Sequence, residues 1–153
     1  MAAARRKVLF VCMGNICRSP TAEVVLREQA RRRGIEVEVD SVGTEAYHVG
    51  EPPDPRSIHH ARLRGYDLTP LRARQLAADD FARFDVIYAA DALNLREIRR
   101  RCPAEHLPKV ALFLGTEPLP DPYYGEAEGF EEVLDLVEKR VDFLLSDWSA
   151  ANC

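Results

Sequence analysis

Short apolar runs that alternate with helical patterns predict an α/β domain. It would be a single-domain, four-stranded parallel sheet flanked by helices on both faces, with a phosphate-binding loop after strand 1. Three observations carry that expectation. Apolar segments recur at 8–11, 86–90 and 110–114; stretches of helix formers separate them; and the first apolar run breaks at a glycine-containing turn that leads into a helix.

The first strand spans 7–11, because Val8, Leu9, Phe10 and Val11 are continuously apolar before Gly14. Pro20 then suits the first turn of a helix, where its missing N–H costs nothing, and helix formers run over 22–33 up to Gly34. Over 35–42, apolar Ile35, Val37 and Val39 alternate with Glu36, Glu38 and Asp40, the pattern of a half-exposed edge strand. Two glycines and three prolines make 43–55 an ordered loop. Asp54 and Pro55 form an N-cap and N1 pair that opens a helix to about Gly65. A third strand covers 85–90, and Asp91 caps a helix through Arg101. A fourth strand covers 110–114, and 115–125 is a proline- and glycine-rich loop. The last helix has the clearest pattern: Phe130, Val133, Leu134, Val137, Val141, Leu144, Leu145 and Trp148 share one face.

A chain of 153 residues with 46% hydrophobic content fits one domain, 1–153, burying roughly two thirds of its unfolded surface. A net charge of -4 gives no general footprint for nucleic acid. The four cysteines, at 12, 17, 102 and 153, lack the density of a disulfide scaffold and read as thiols in a reducing compartment. The basic start is followed by too short an apolar stretch for a signal peptide, and no run is long enough for a membrane. Cytoplasmic residence follows as the default. The histidines show no metal spacing with one another or with cysteine, so no metal and no cofactor is expected.

The loop Cys12-Met13-Gly14-Asn15-Ile16-Cys17-Arg18-Ser19 carries the chemistry. A loop that feeds a helix N-terminus gathers unpaired N–H groups at one point and forms an anion site. Arg18 adds a planar fork for two phosphate oxygens. Cys12 sits in that positive field, which favours the thiolate, the form that attacks phosphorus. The Ser19 hydroxyl is placed to donate to it, and Asn15 to stiffen the loop. A dinucleotide fingerprint is the competing reading, but it needs three glycines where one stands. Phosphoryl transfer from a phenol also needs a proton for the leaving oxygen. Asp121, between Pro120 and Pro122 in the loop after the fourth strand, is the candidate acid. Tyr123 and Tyr124 supply one wall of an aromatic slot and Tyr47 the other. Cys17 reads equally as a disulfide partner for Cys12 and as a small buried filler.

Taken together, 11–23, Ser41-Val42-Gly43-Thr44, Ala73-Arg74-Gln75 and Asp121-Pro122-Tyr123-Tyr124 closely resemble the low-molecular-weight protein tyrosine phosphatases, along nearly the whole chain. The resemblance implies that Cys12 becomes phosphocysteine, Arg18 binds phosphate, and Asp121 is first acid and then base. Asn15 and Ser19 carry over as loop support and thiolate stabilisation, Tyr47 and Tyr124 as slot walls. It implies phosphotyrosine-containing proteins as substrates and inorganic phosphate as product or inhibitor. One departure stands out: family members often carry a histidine shortly before Ala-Arg-Gln, where this chain has Thr69-Pro70-Leu71-Arg72. In those relatives the histidine helps brace the loop Asn, so Asn15 must find another partner. The scaffold also resembles thioredoxin-coupled arsenate reductases and protein-arginine phosphatases. The former need a mobile thiol pair; the latter tend to have threonine where Ile16 stands. An apolar Ile16 beside a phenyl ring favours phosphotyrosine. A non-catalytic phosphopeptide-binding or redox-sensing module is the rival of another class; it would keep Arg18 but has no need of Asp121.

Overall fold

The computed structural model describes residues 5–151, and no helix among them is long and apolar enough to cross a membrane. Residues 1–4 of the basic start and Cys153 lie outside the described residues. The elements follow in the order β1 (Arg6–Cys12), α1 (Arg18–Arg32), β2 (Val37–Gly43), α2 (Pro55–Arg62), α3 (Ala78–Arg83), β3 (Val86–Ala89), α4 (Ala92–Arg101), a 3-10 helix (Ala104–Lys109), β4 (Val110–Leu112) and α5 (Ala127–Ala151).

All strand pairs are parallel, in the order β2-β1-β3-β4, so β2 is the edge strand its alternation predicts. Successive side chains of β1 point to opposite faces. Val8, Phe10 and Cys12 join one core with residues of α1 and α5. Leu9 and Val11 join a second core with Phe81, Phe84 and Ile98 on the α3 and α4 side. Helices therefore cover both faces. All eight residues of the predicted apolar face of α5 are buried, and each such side chain contributes about 1.5–3 kcal/mol of transfer free energy.

The predicted caps form. Asp54 accepts from the Arg56 N–H at 2.8 Å, and Asp91 from the Asn94 N–H at 2.8 Å. Helix α1 begins two residues before Pro20, which is still harmless because the N–H it lacks lies among the four that a helix start leaves unpaired. It ends ahead of Gly34, whose φ of 69 a side chain would resist. The short α3 and the 3-10 helix go beyond the sequence expectation; six residues show too little periodicity to stand out.

Chain direction around the sheet reverses between β1 and β3, since the chain leaves β1 for β2 on one side and reaches β3 on the other. A cleft opens at that point, beyond the carboxyl ends of the strands.

Candidate active site

The loop from Cys12 to Ser19 runs from the end of β1 into the first turn of α1. At the N-cap of that helix, Cys17 provides no side-chain cap, so the first-turn N–H groups have no capping acceptor. The loop is held against the end of β2: Thr44 N–H donates to Cys12 O at 2.9 Å and Glu45 N–H to Met13 O at 3.0 Å. Gly43 makes this approach possible, because a Cβ there would lie 2.7 Å from Met13 O, a backbone atom that cannot swing aside.

Asn15 is the centre of the loop. It takes a left-handed φ of 59 and is almost completely buried. Its Nδ2 donates to Ser19 Oγ at 2.8 Å and to Ser41 Oγ at 2.9 Å, and its Oδ1 accepts from the Arg74 N–H at 3.0 Å. These partners fix the amide orientation, since only the carbonyl side can accept from a backbone N–H. Ser41 Oγ in turn donates a hydrogen bond to Glu23 Oε1 at 2.6 Å, and Arg27 closes on the other carboxylate oxygen. Burial raises the Glu23 carboxyl above its ordinary range, opposed by the hydrogen bonds from Ser41 and Arg27. Arg74 is itself fixed, its guanidinium bridging Asp40 and Asp80. The brace of Asn15 is therefore Ser41 together with the backbone of Arg74. Helix α3 contributes by holding Arg74 through Asp80.

With Asn15 donating to it, the Ser19 oxygen has its own proton to give. Cys12 Sγ lies 3.0 Å away, nearer than Val42 O at 3.4 Å. The Asn15 N–H reaches the same sulfur at 3.3 Å. Cys12 Sγ is thus contacted by both the Ser19 hydroxyl and the Asn15 N–H.

Arg18 is buried beneath the cleft. Its Nη1 donates to Asp91 Oδ2 at 2.8 Å and to Leu119 O at 2.9 Å, which leaves the Nε and Nη2 edge for a bidentate oxyanion. Asp91 holds two posts, Oδ1 capping α4 and Oδ2 orienting Arg18. The sequence shows only the first. Asp121 reaches the same place from the loop after β4, with Oδ2 3.8 Å from Arg18 Nη2 while Oδ1 accepts from the Tyr123 N–H at 3.0 Å.

Cys12, Met13, Gly14, Ile16, Cys17, Arg18, Tyr47, Asp121, Tyr123 and Tyr124 all line one cleft of about 250 Å³. Asn15 and Ser19 stand behind it. Ile16 faces the cleft but is largely buried, packed with Cys17, Ala73 and Phe130. The Tyr123 and Tyr124 rings meet edge to face at 4.9 Å. Burial pushes the Cys17 thiol up to about 12, with a hydrogen bond to Ser57 pulling the other way, so Cys17 stays protonated near neutral pH. One cleft residue goes beyond the sequence expectation: His48, whose ring lies against Gly14 and whose Nδ1 pairs with Glu51. Its position between Tyr47 and Gly50, in the loop that supplies Tyr47, is the signal that would have found it.

The family described as low molecular weight phosphotyrosine protein phosphatase matches this chain over residues 7–151. The low molecular weight phosphotyrosine protein phosphatase of Schizosaccharomyces pombe is 44% identical over 151 residues, covering 92% of this chain and 96% of its own. The low molecular weight protein-tyrosine-phosphatase of Streptomyces coelicolor is 43% identical over 151 residues, covering 92% of each. The crystal structure of a protein tyrosine phosphatase from Entamoeba histolytica, with Hepes in its active site, superposes with a TM-score of 0.91 at 35% identity. It covers 97% of this chain and 99% of that one.

Proposed function

The chain belongs to the low-molecular-weight phosphotyrosine protein phosphatase family, and from that membership we propose that it hydrolyses protein phosphotyrosine and small aryl phosphates through a phosphocysteine on Cys12. The observation that carries this reading is that Cys12, Arg18 and Asp121, up to 109 residues apart in sequence, border one cleft that also has tyrosine walls.

Arg18 grips two non-bridging oxygens of the phosphoryl group with its Nε and Nη2 edge, while first-turn N–H groups of α1 take the remaining charge. The Cys12 thiolate attacks phosphorus opposite the phenolic oxygen, forming the S–P bond as the P–O bond breaks. Asp121 delivers its proton to the leaving phenolate. In the second half, the Asp121 carboxylate takes a proton from water, the water oxygen attacks phosphorus, and the S–P bond breaks. Inorganic phosphate leaves, and the Cys12 thiolate is restored with Ser19 donating to it. A cleft of about 250 Å³ fits one aromatic phosphate, and Tyr47, Tyr123 and Tyr124 offer faces to its ring.

Cys17 shares the cleft wall with Cys12, and we read it as the resolving thiol after peroxide has converted Cys12 to a sulfenic acid. The Cys17 thiol, protonated until then, forms the S–S bond as the Cys12 S–O bond breaks, and its proton leaves with that hydroxyl as water. Inactivation by peroxide that a thiol reductant reverses in the wild type but not in Cys17→Ser is the expected result. Reversal in both would remove that role. Free thiols in such a cycle suit the reducing cytoplasm.

The direct test is acid-quenched reaction with a labelled aryl phosphate and a phosphotyrosine peptide, with a phosphoarginine peptide alongside. Wild type should trap label on Cys12 from the first two and not the third. Full turnover by Cys12→Ser would end the mechanism.

A further inference from the structure

Cys12 and Asp121 lie on loops from opposite ends of the sequence, and the first turn of α2 touches both loops. On one side, Asp54 N–H donates to Ile16 O at 2.8 Å, inside the nucleophile loop. On the other, Arg56 Nη2 donates to Tyr123 O at 3.0 Å, two residues beyond Asp121, and the guanidinium lies over the Tyr123 ring at 5.5 Å and the Phe130 ring at 4.8 Å. Arg56 is held in turn by Asp54, with Nε at 3.0 Å from Oδ1 and Nη2 at 2.8 Å from Oδ2. The same Oδ1 accepts the Arg56 N–H as the cap of α2.

The acid segment has few other ties. Leu119 is fixed, its N–H to Ala90 O at 2.8 Å and its carbonyl to Arg18. Beyond it, the Tyr123 N–H bonds to Asp121 and the Gly125 N–H to Pro122 O, both inside the segment. Among the described residues, the Arg56 contact is thus the hydrogen bond that joins 120–125 to the body of the protein.

We propose that Arg56 is a positioning residue for Asp121: clamped by Asp54, it docks the acid-bearing loop onto the first turn of α2, which is bonded to the Cys12 loop. The claim rests on the acid role proposed for Asp121. Its physical basis is that proton donation needs the carboxyl within hydrogen-bond reach of the leaving oxygen, and a displacement of about 1 Å can cost about 100-fold. Arg56 supplies two constraints at once, a planar fork and an aromatic stack, which a lysine cannot reproduce together.

The test compares kcat/KM, which reports phosphoryl transfer to Cys12, for phenyl phosphate and for nitrophenyl phosphate. Phenolate, with a conjugate acid pKa of about 10 like that of tyrosine, needs the proton; nitrophenolate needs it far less. Arg56→Ala should lower the phenyl phosphate value by about 10- to 100-fold and leave the nitrophenyl value little changed. Arg56→Lys should fall between it and the wild type, and it gives the same comparison should the alanine form not fold. In an Asp121→Asn background, Arg56→Ala should add no further loss. An equal fall for both esters, wild-type rates in both Arg56 variants, or a full additional loss in the Asp121→Asn background would each overturn the assignment. If Asp121→Asn alone left phenyl phosphate turnover intact, the acid role itself would fail, an outcome distinct from a slow Asp121→Asn beside a normal Arg56→Ala.

Discussion

The two loops that meet at the cleft are built on opposite plans. The nucleophile loop is largely buried and braced by the body of the protein: Asn15, Arg18 and Ser19 are each under 5% exposed, and hydrogen bonds link the Arg74 backbone N–H through Asn15 and Ser19 to the Cys12 sulfur, with Ser41 accepting from Asn15 at the side. The acid loop lies at the surface, with Tyr124 89% exposed and Asp121 tied mainly to its own neighbours. The difference suits the two roles proposed for these loops. An anion cradle gains from dipoles fixed before the reaction, whereas an acid serves two half-reactions between which a phenol leaves and a water enters.

The largest effect that could break this contrast is at the nucleophile. Cys12→Ser should lose turnover of an aryl phosphate by a factor on the order of 10⁶, the scale seen when a covalent catalyst loses its attacking atom. Next, Asp121→Asn should cost about 10²- to 10⁴-fold with phenyl phosphate and much less with nitrophenyl phosphate. A uniform loss for both esters would make Asp121 a structural residue, as Asn15 is in the nucleophile loop.

Stability separates the two regions more gently. Asn15→Ala removes two buried and one part-buried hydrogen bond and strands the Arg74 N–H, so denaturant unfolding should show a loss of about 2–4 kcal/mol together with a fall in kcat. Tyr124→Ala should change stability by less than about 0.5 kcal/mol while raising KM for a phosphotyrosine peptide. Equal destabilisation by the two substitutions would erase the distinction.

The smallest effect sits in the brace behind the loop. Burial raises the Glu23 carboxyl, so between its ordinary value and the raised one the folded state binds more protons than the unfolded chain. Stability from this group is therefore complete below the ordinary carboxyl value and is lost as pH rises through the raised one. Glu23→Gln should flatten that decline in a series of unfolding curves taken across the mildly acidic range.

Much of the nucleophile loop was legible because its parts are neighbours in sequence: a strand, a glycine, an arginine and a helix start fall within about a dozen residues. The caps Asp54 and Asp91 and the apolar face of α5 were legible for the same reason, since each is a local pattern with a local cause. The second post of Asp91 on Arg18 was not, nor was the brace through Ser41 and Arg74, because each joins residues from distant parts of the chain. Ile16 shows the limit from the other side. Its apolar character reads as a surface for a substrate ring, and it does line the cleft, but it is also buried in a cluster with Cys17, Ala73 and Phe130, the last 114 residues further on.

What the sequence determined alone is the α/β order, the parallel sheet and the identity of the chemical groups, because periodicity, capping and loop composition act over a few residues. Which groups meet was decided only by the tertiary structure. The reversal of chain direction between β1 and β3 opens the cleft over Cys12. The return of the chain after β4 brings Asp121 to Arg18, and the first turn of α2 spans from the Ile16 carbonyl to that of Tyr123. Those contacts arise when sheet register and helix packing set distances that no local pattern encodes.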